Sequence, residues 1–181
     1  MKQIIHLCTA GMLAFVACAN AGPMVRVPAG MLEITDQVTT LRVSVSVTEF
    51  LIKATEVTQQ EYEAVTGSNP SFYRGADRPV ENVSWWDAIR YTNLRSEKEG
   101  LAPCYDLATG KRRPRCDGYR LPTEAEWIRA AGPIGKADQL TQTAHLGSTS
   151  TKSLGLFKRE LEHGTYPVGG LRPNDLGIYD R

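Results

Sequence analysis

The residues best suited to redox or metal chemistry in this 181-residue chain are its four cysteines. Cys8 and Cys18 lie in an apolar N-terminal segment, whereas Cys104 and Cys116 flank a polar loop. If export removes the N-terminal segment, the two cysteines left in an oxidising compartment most simply form one disulfide. The alternative is a thiolate metal site, which normally needs three or four close ligands. We therefore predict a Cys104–Cys116 disulfide.

The best candidates for acid–base chemistry are Arg120, Glu124 and Glu126, which lie in one short stretch of the sequence. We interpret them as scaffold residues, because a carboxylate three residues after a capping hydroxyl completes a helix start. Arg120 pairs either with Glu124 or, through both guanidinium nitrogens, with a buried carboxylate. The residues expected to build the same helix start are Pro122, which stiffens its entry, Thr123, which caps it, and Trp127, which buries a large face.

Histidine and basic side chains are weaker candidates for a ligand site. His145 and His163 are isolated and have no metal-binding spacing, so we expect them to be solvated. The basic cluster at 111–115 lacks interleaved aromatic residues, which favours a solvated loop over a phosphate or nucleic-acid site. The chain has 21 basic and 20 acidic side chains. This balance argues against binding nucleic acid or an anionic membrane through the overall field.

The first 21 residues have the pattern of a secretory signal. Lys2 gives the positive start, 7–17 gives the apolar run, and the small residues at 19–21 predict cleavage after Ala21. A second interpretation is a lipobox ending at Cys18, which would carry a lipid anchor. We therefore expect a secreted or periplasmic protein, and the sequence shows no internal stretch apolar enough to span a bilayer.

Three predicted helices begin with the same pattern, in which a hydroxyl residue is followed three residues later by an acidic residue. Thr58, Ser84 and Thr123 begin them, which predicts helices near 58–66, 84–98 and 123–131. In the second, Asp87 is the acid, and Trp85 and Trp86 point about 100° apart. One of these tryptophans is a candidate to line a groove, although we favour both packing under loops.

Strands are predicted in the first thirty residues after the leader. Alternation over 41–47 predicts that Leu41, Val43, Val45 and Val47 share one buried face. Shorter strands are predicted at 25–28 and 31–34, on either side of a Pro-Ala-Gly turn. With the three short helices and much turn-rich chain, the pattern indicates an α+β domain rather than an alternating βαβ protein.

Ordered motifs give the chain a family resemblance. Residues 119–127 (YRLPTEAEW), 54–62 (ATEVTQQEY), 79–88 (PVENVSWWDA) and 173–180 (PNDLGIYD) resemble stretches of the formylglycine-generating enzyme, or sulfatase-modifying factor, family in the family's order. The resemblance covers about residues 24–180. It implies an irregular α+β fold related to C-type lectin domains, with little regular secondary structure. It also implies that the loop between Cys104 and Cys116 matches one that is disulfide-bridged in some secreted members.

The resemblance further implies an oxidase that converts a substrate cysteine to formylglycine with copper held by two cysteines. In the family those cysteines follow a Gly-Asn-Val-Trp-Glu-Trp motif beyond the 173–180 stretch, and this chain encodes neither. The histidine pattern of an iron-binding sister branch is also not encoded. Asp180 matches a calcium ligand position, but one carboxylate makes only a weak calcium site.

We therefore expect residues 1–21 to be a signal peptide and 22–181 to be a C-terminally incomplete domain of this family. The expected function is an exported binding or accessory module, without oxidase activity in this chain, for an unknown protein or peptide partner. The alternative is the N-terminal part of a true copper-dependent oxidase that acts on sulfatases. Because Ile178 and Tyr179 would normally pack beneath a following segment, we expect a chain that is marginally stable, partly exposed at its C-terminus, or prone to associate.

Overall fold

The structure, a computed structural model, describes residues 22–35, 41–132 and 164–180. The predicted α+β class is confirmed, because short strands are followed by short helices and the rest is irregular chain. The predicted leader and the histidines His145 and His163 lie outside the described residues. The elements are β1 (Met24–Val27), β2 (Gly30–Thr35), β3 (Arg42–Val47), β4 (Phe50–Lys53), α1 (Gln59–Thr66), α2 (Trp85–Lys98) and α3 (Glu124–Ala131).

The strands form two antiparallel pairs. β1 pairs with β4 from Met24 opposite Lys53 to Val27 opposite Phe50. β2 pairs with β3, from Gly30 opposite Val47 to Thr35 opposite Arg42. A sheet of two strands has a single neighbour for each strand, and this limits how much of an alternating face it can bury.

The prediction of one buried face along β3 is wrong at the N-terminal end of the strand. Val47 is buried and Val45 half-buried, but Val43 and the preceding Leu41 are 53% and 64% exposed. Among the described residues, the end of the β2–β3 pair near Gly30 and Val47 meets the body of the protein, where the Arg129 guanidinium of α3 donates to the Pro28 and Ala29 carbonyls. Alternation therefore identified the strand correctly but overestimated its burial.

The three predicted helices and their capping boxes are confirmed. Thr58, Ser84 and Thr123 each accept a hydrogen bond from the backbone N–H three residues later, and the acid there accepts from the cap's own N–H. These short-range bonds satisfy first-turn N–H groups that have no partner inside the helix. α1 ends at Gly67, whose φ of 79° suits a residue without Cβ.

Two apolar clusters form the core. Val27, Ile52, Ala130 and Ile178 meet between the β1–β4 pair and α3, and Ile89 packs with Cys104 and Tyr105 under α2. The expected exposure of Ile178 is wrong, since it is 1% exposed, and Tyr179 is half-buried. The reason is the turn before it, which Asn174 holds in place; its side chain accepts from the Leu176 and Ile178 N–H groups and donates to the Ala130 carbonyl.

Trp127 also departs from its prediction, because it is 44% exposed. The buried side of α3 is formed by Glu126, Ala130 and Ala131. At about 100° per residue, Trp127 lies between Ala130 and Ala131 around the helix axis. Helical spacing therefore identified its face of α3 correctly but overestimated how much of the large ring is covered.

A buried ion pair ties the strands to α1. Lys53 Nζ lies 3.0 Å from Glu61 Oε2 and donates to the Thr55 hydroxyl and the Glu56 carbonyl. Burial would raise the pKa of Glu61, but the backbone N–H groups of Thr58 and Gly22, together with Lys53, outweigh it and lower that pKa. α1 then packs on α2 through Tyr62, whose ring stacks on that of Tyr91 at 5.3 Å.

Candidate binding surface

Trp85 and Trp86 occupy the first turn of α2 because the Ser84–Asp87 capping box begins the helix there. Ser84 N–H and Oγ–H donate to Asp87 Oδ2 at 2.9 and 2.6 Å. The Ser84 bonds hold the pKa of Asp87 below its usual value. The two indoles meet edge to face with centroids 5.0 Å apart. Each is 49% exposed, so the interpretation that both are packed away under loops is wrong.

The loop closed by Cys104 and Cys116 lies against these rings, and the predicted disulfide is confirmed. Gly110, at φ 71°, contacts both indoles; a Cβ there would lie 2.9 Å from atoms of Trp85 and Trp86. A side chain at this position would therefore displace the rings and strain the backbone. The disulfide loop thus supports the tryptophans without covering them.

Asn93 of α2 anchors the disulfide loop. Its Nδ2 donates to the Tyr105 carbonyl at 2.8 Å, and its Oδ1 accepts from the Tyr105 N–H at 3.0 Å. The Tyr105 ring lies 6.2 Å from that of Trp85, and its hydroxyl accepts from the Leu121 N–H. The role of Asn93 could not be predicted from the sequence, because an amide that hydrogen-bonds to the backbone twelve residues away has no local sequence pattern.

A second exposed aromatic pair is Phe72 and Tyr73, whose rings meet edge to face at 5.0 Å. Glu81 Oε1 accepts from both of their N–H groups. The amide of Gln59, fully buried on α1, donates to the Tyr73 carbonyl at 2.7 Å and accepts from Asn69 Nδ2 at 3.0 Å. No local sequence pattern marks either this aromatic pair or the buried role of Gln59.

The residues of the 119–127 motif do not line an open site. They hold the start of α3 in place. Arg120 donates from both terminal nitrogens to Glu126, at 2.6 and 2.5 Å, so its partner is the buried carboxylate and not the exposed Glu124. Thr123 N–H donates to the same Glu126 carboxylate. The Arg120 bonds, helped by Thr123 and opposed by burial, lower the pKa of Glu126 to about 2. Each side chain is thereby committed to the helix start, and Pro122 precedes it.

We expect acid to weaken the fold through Glu126. Because its pKa falls from 4.5 to about 2 on folding, its contribution is complete above pH 4.5 and is lost as the pH drops toward 2. Glu61 shifts in the same direction. Urea unfolding between neutral pH and pH 3 should show a falling free energy of unfolding. Glu126→Gln should flatten that slope, and an unchanged slope in this variant would contradict the assignment.

Copper chemistry does not fit the two described cysteines. Both sulfurs are joined in the disulfide and Cys104 is fully buried, whereas Cu(I) takes free thiolates. Within residues 22–35, 41–132 and 164–180, no three His, Cys, Asp or Glu side chains cluster as metal ligands. Asp180 Oδ2 accepts from the Gly169 N–H at 2.6 Å, so its carboxylate already has a backbone partner.

Loss of the disulfide should destabilise the domain by about 3 kcal/mol on the chain-entropy account. The loop it closes is short, with a sequence separation of 12. The matched variant is Cys104→Ala with Cys116→Ala, and wild type in reductant should behave in the same way. Equal denaturation midpoints for oxidised wild type and this variant would contradict a stabilising role.

The basic cluster is placed as predicted, since all five residues from Lys111 to Arg115 are exposed. Arg112 forms an isolated antiparallel bridge with Tyr105 inside the loop. For the residues that the structure covers, no helix is long and apolar enough to cross a bilayer. The exposed cations therefore lie in the disulfide loop, whose Gly110 contacts the half-exposed indoles of α2.

Comparison with known proteins gives one family. Residues 13–181 match the sulfatase-modifying factor enzyme 1-like domain. The chain is 32% identical over 219 residues to a protein named chaperone protein LppX from Paenibacillus barcinonensis, covering 99% of this chain and 77% of that one.

Two solved structures share the fold. Variable protein 1 of Treponema denticola superposes with a TM-score of 0.72 at 31% identity, covering 87% of this chain and 68% of that one. The crystal structure of CarF superposes with a TM-score of 0.68 at 29% identity, covering 87% of this chain and 76% of that one. The predicted fold class is therefore confirmed.

Proposed function

This chain belongs to the sulfatase-modifying factor enzyme 1-like domain family, and on that premise we propose that it is an extracytoplasmic accessory module that binds a protein partner. The domain assigned to this function is 22–181, with 1–21 as its export signal. The role is binding, and the catalytic alternative is the copper-dependent oxidase of a longer parent chain.

The observation that carries the proposal is the half-exposed tryptophan pair. Trp85 and Trp86 are held by each other, by the Tyr105 ring and by Gly110. Large aromatic side chains that are already ordered lose little conformational entropy on binding, and tryptophan is enriched among residues that dominate interface energies. Two tryptophan rings that remain half exposed to water lower the solubility of a protein. Such exposure is typical of an interaction site.

The relatives support a protein partner over a small-molecule substrate. One relative, of which this chain covers 77%, carries the name of a chaperone, and chaperones act by contacting other proteins. By analogy, we assign the exposed aromatic surface of this chain to contact with a partner protein. The resemblance to an oxidase is weaker support for catalysis here, because Cys104 and Cys116 are consumed in a disulfide.

The disulfide also supports the proposed location. Disulfides persist in oxidising compartments and are rare where thiols are kept reduced. The signal sequence predicted at 1–21 is consistent with this, and a lipid on Cys18 would anchor the same domain at a membrane surface. Mass spectrometry of the mature N-terminus distinguishes cleavage before Gly22 from lipidation at Cys18.

The proposed function is tested by aggregation of thermally unfolding citrate synthase, followed by light scattering with increasing amounts of the purified chain. Wild type should suppress aggregation in proportion to its concentration. The Trp85→Ala, Trp86→Ala double variant should lose most of this effect. Trp127→Ala is the matched control, because this ring is similarly exposed but lies on α3. No suppression by wild type, or equal suppression by the double variant, would overturn the proposal.

A further inference from the structure

The disulfide loop carries a cluster of cations beside the tryptophan pair. Gly110 contacts both indoles, and Lys111, Arg112, Arg113 and Arg115 follow it within the loop. All four are exposed, and none forms a salt bridge with a carboxylate among the residues described. The cations therefore follow directly on the residue that contacts the indoles, and we group residues 85–86 and 110–115 as the Trp–Arg surface.

Three nearby carboxylates offset this charge only in part, and Arg113 acts on Asp106 electrostatically. Asp106 accepts from the Ala108 N–H at 2.9 Å, and this bond leads in lowering its pKa. Asp87 is engaged by Ser84 at the helix start. Asp117 accepts from the Ala102 N–H at 2.7 Å. With Arg90 on α2, five cations face three carboxylates that already hold hydrogen bonds, so the surface has a positive excess.

We propose that the Trp–Arg surface binds an acidic segment of a partner protein that also carries aromatic or large aliphatic side chains. This deepens the proposed function and rests on it. The indoles supply apolar contact area, and the unpaired cations attract carboxylates and speed encounter with an acidic partner. Arginine is well suited to the task, because its planar fork binds a carboxylate through two hydrogen bonds.

The ring geometry favours a peptide over a nucleic acid. The two indole planes lie at 79° to each other, and Trp85 also meets Tyr105 at 81°. Each edge-to-face contact occupies part of a ring face. Binding of single-stranded nucleic acid instead uses aromatic faces on which successive bases stack. Side chains of a peptide can insert beside such rings without needing parallel open faces.

The test uses the purified full chain and fluorescein-labelled peptides, with binding followed by fluorescence anisotropy. The probes are an Asp/Glu peptide containing phenylalanines, the same peptide with lysines for the acids, and the acidic peptide with serines for the phenylalanines. The first probe should bind at least about tenfold more tightly than either of the others. Its affinity should fall as salt is raised, since exposed charges are screened.

Two independent variants connect this binding to the Trp–Arg surface. Trp86→Ala and the Lys111→Glu, Arg112→Glu pair should each weaken the first probe about tenfold. Arg42→Glu, an exposed cation on β3, is the matched control and should leave binding unchanged. Circular dichroism checks that each variant is folded, and both variant sites are exposed enough to tolerate change.

Three results would overturn the inference: equal binding of acidic and basic peptides, binding indifferent to phenylalanine, or tight binding only to an oligonucleotide or to anionic vesicles run in parallel. Suppressed citrate synthase aggregation together with any of these would overturn the inference and leave the proposed function standing. Selective binding of the acidic aromatic peptide without aggregation suppression would overturn the proposed function and leave the inference about the Trp–Arg surface standing.

Discussion

Arg120→Met is expected to lower the free energy of unfolding by about 3 kcal/mol, because it leaves a buried carboxylate without its cation. Glu126 has a side chain only 10% exposed and receives both terminal nitrogens of Arg120. The same carboxylate caps α3 through the Thr123 N–H, so the loss should also loosen the first turn of that helix. Urea denaturation followed by circular dichroism measures the change.

Glu124→Gln is the matched control for that variant. Glu124 lies in the same first turn but is exposed, so its substitution should change stability by less than about 0.5 kcal/mol. Arg120→Met combined with Glu126→Gln should recover part of the loss, since the uncompensated charge is gone. A cost below about 1 kcal/mol for Arg120→Met alone would show that water, and not Arg120, solvates the carboxylate.

Gln59→Met is expected to cost a similar amount, about 3 kcal/mol, through hydrogen bonds left unmade. The Gln59 amide is fully buried and has four partners. Its nitrogen donates to the carbonyls of Tyr73 and Pro79, and its oxygen accepts from Asn69 Nδ2 and the Gly75 N–H. Methionine preserves much of the volume but satisfies none of these groups.

The neighbouring Gln60 provides the control, because it is exposed on the same helix turn. Gln60→Met should be near neutral in denaturation. Gln59→Met should also speed trypsin cleavage after Arg74, since the loop from 69 to 79 loses its anchor. Unchanged cleavage in a destabilised Gln59→Met would place the loss in α1 and contradict the role of Gln59 in holding the loop.

Features governed by short-range contacts were predictable from the sequence. The hydroxyl and the acid of each capping box lie three residues apart, so the helix starts at Ser84 and Thr123 could be located before any packing was known. The Cys104–Cys116 disulfide followed from the number of cysteines outside the predicted leader. Local patterns indicated the α+β class, and the family motifs added the irregular fold within that class.

Features governed by distant partners were not predictable. Val43 alternates correctly with Val45 and Val47, yet its burial depended on how far the two-stranded sheet reaches from the body. Ile178 is buried by strands more than a hundred residues earlier in the chain. Gln59 and Asn93 are polar residues on amphipathic helices, where a buried amide that bonds loop backbone looks the same as a solvated one.

The candidate surface was visible only in part. The tryptophan pair and the basic cluster were each recognised in the sequence, but as separate and ordinary features. Their contact depends on Gly110 at the tip of the disulfide loop and on Asn93, which holds Tyr105 against α2. The sequence therefore supplied the parts of the site, and the fold supplied their juxtaposition.

Mass spectrometry of a Cys-x-Pro-x-Arg peptide tests most directly whether this chain is a binding module or an oxidase. The peptide is incubated with the purified 181-residue chain, Cu(I) and dioxygen, and the citrate synthase assay is run on the same preparation. We predict an unconverted cysteine alongside suppressed aggregation that depends on Trp85 and Trp86. Conversion of the peptide cysteine to the aldehyde would contradict the account.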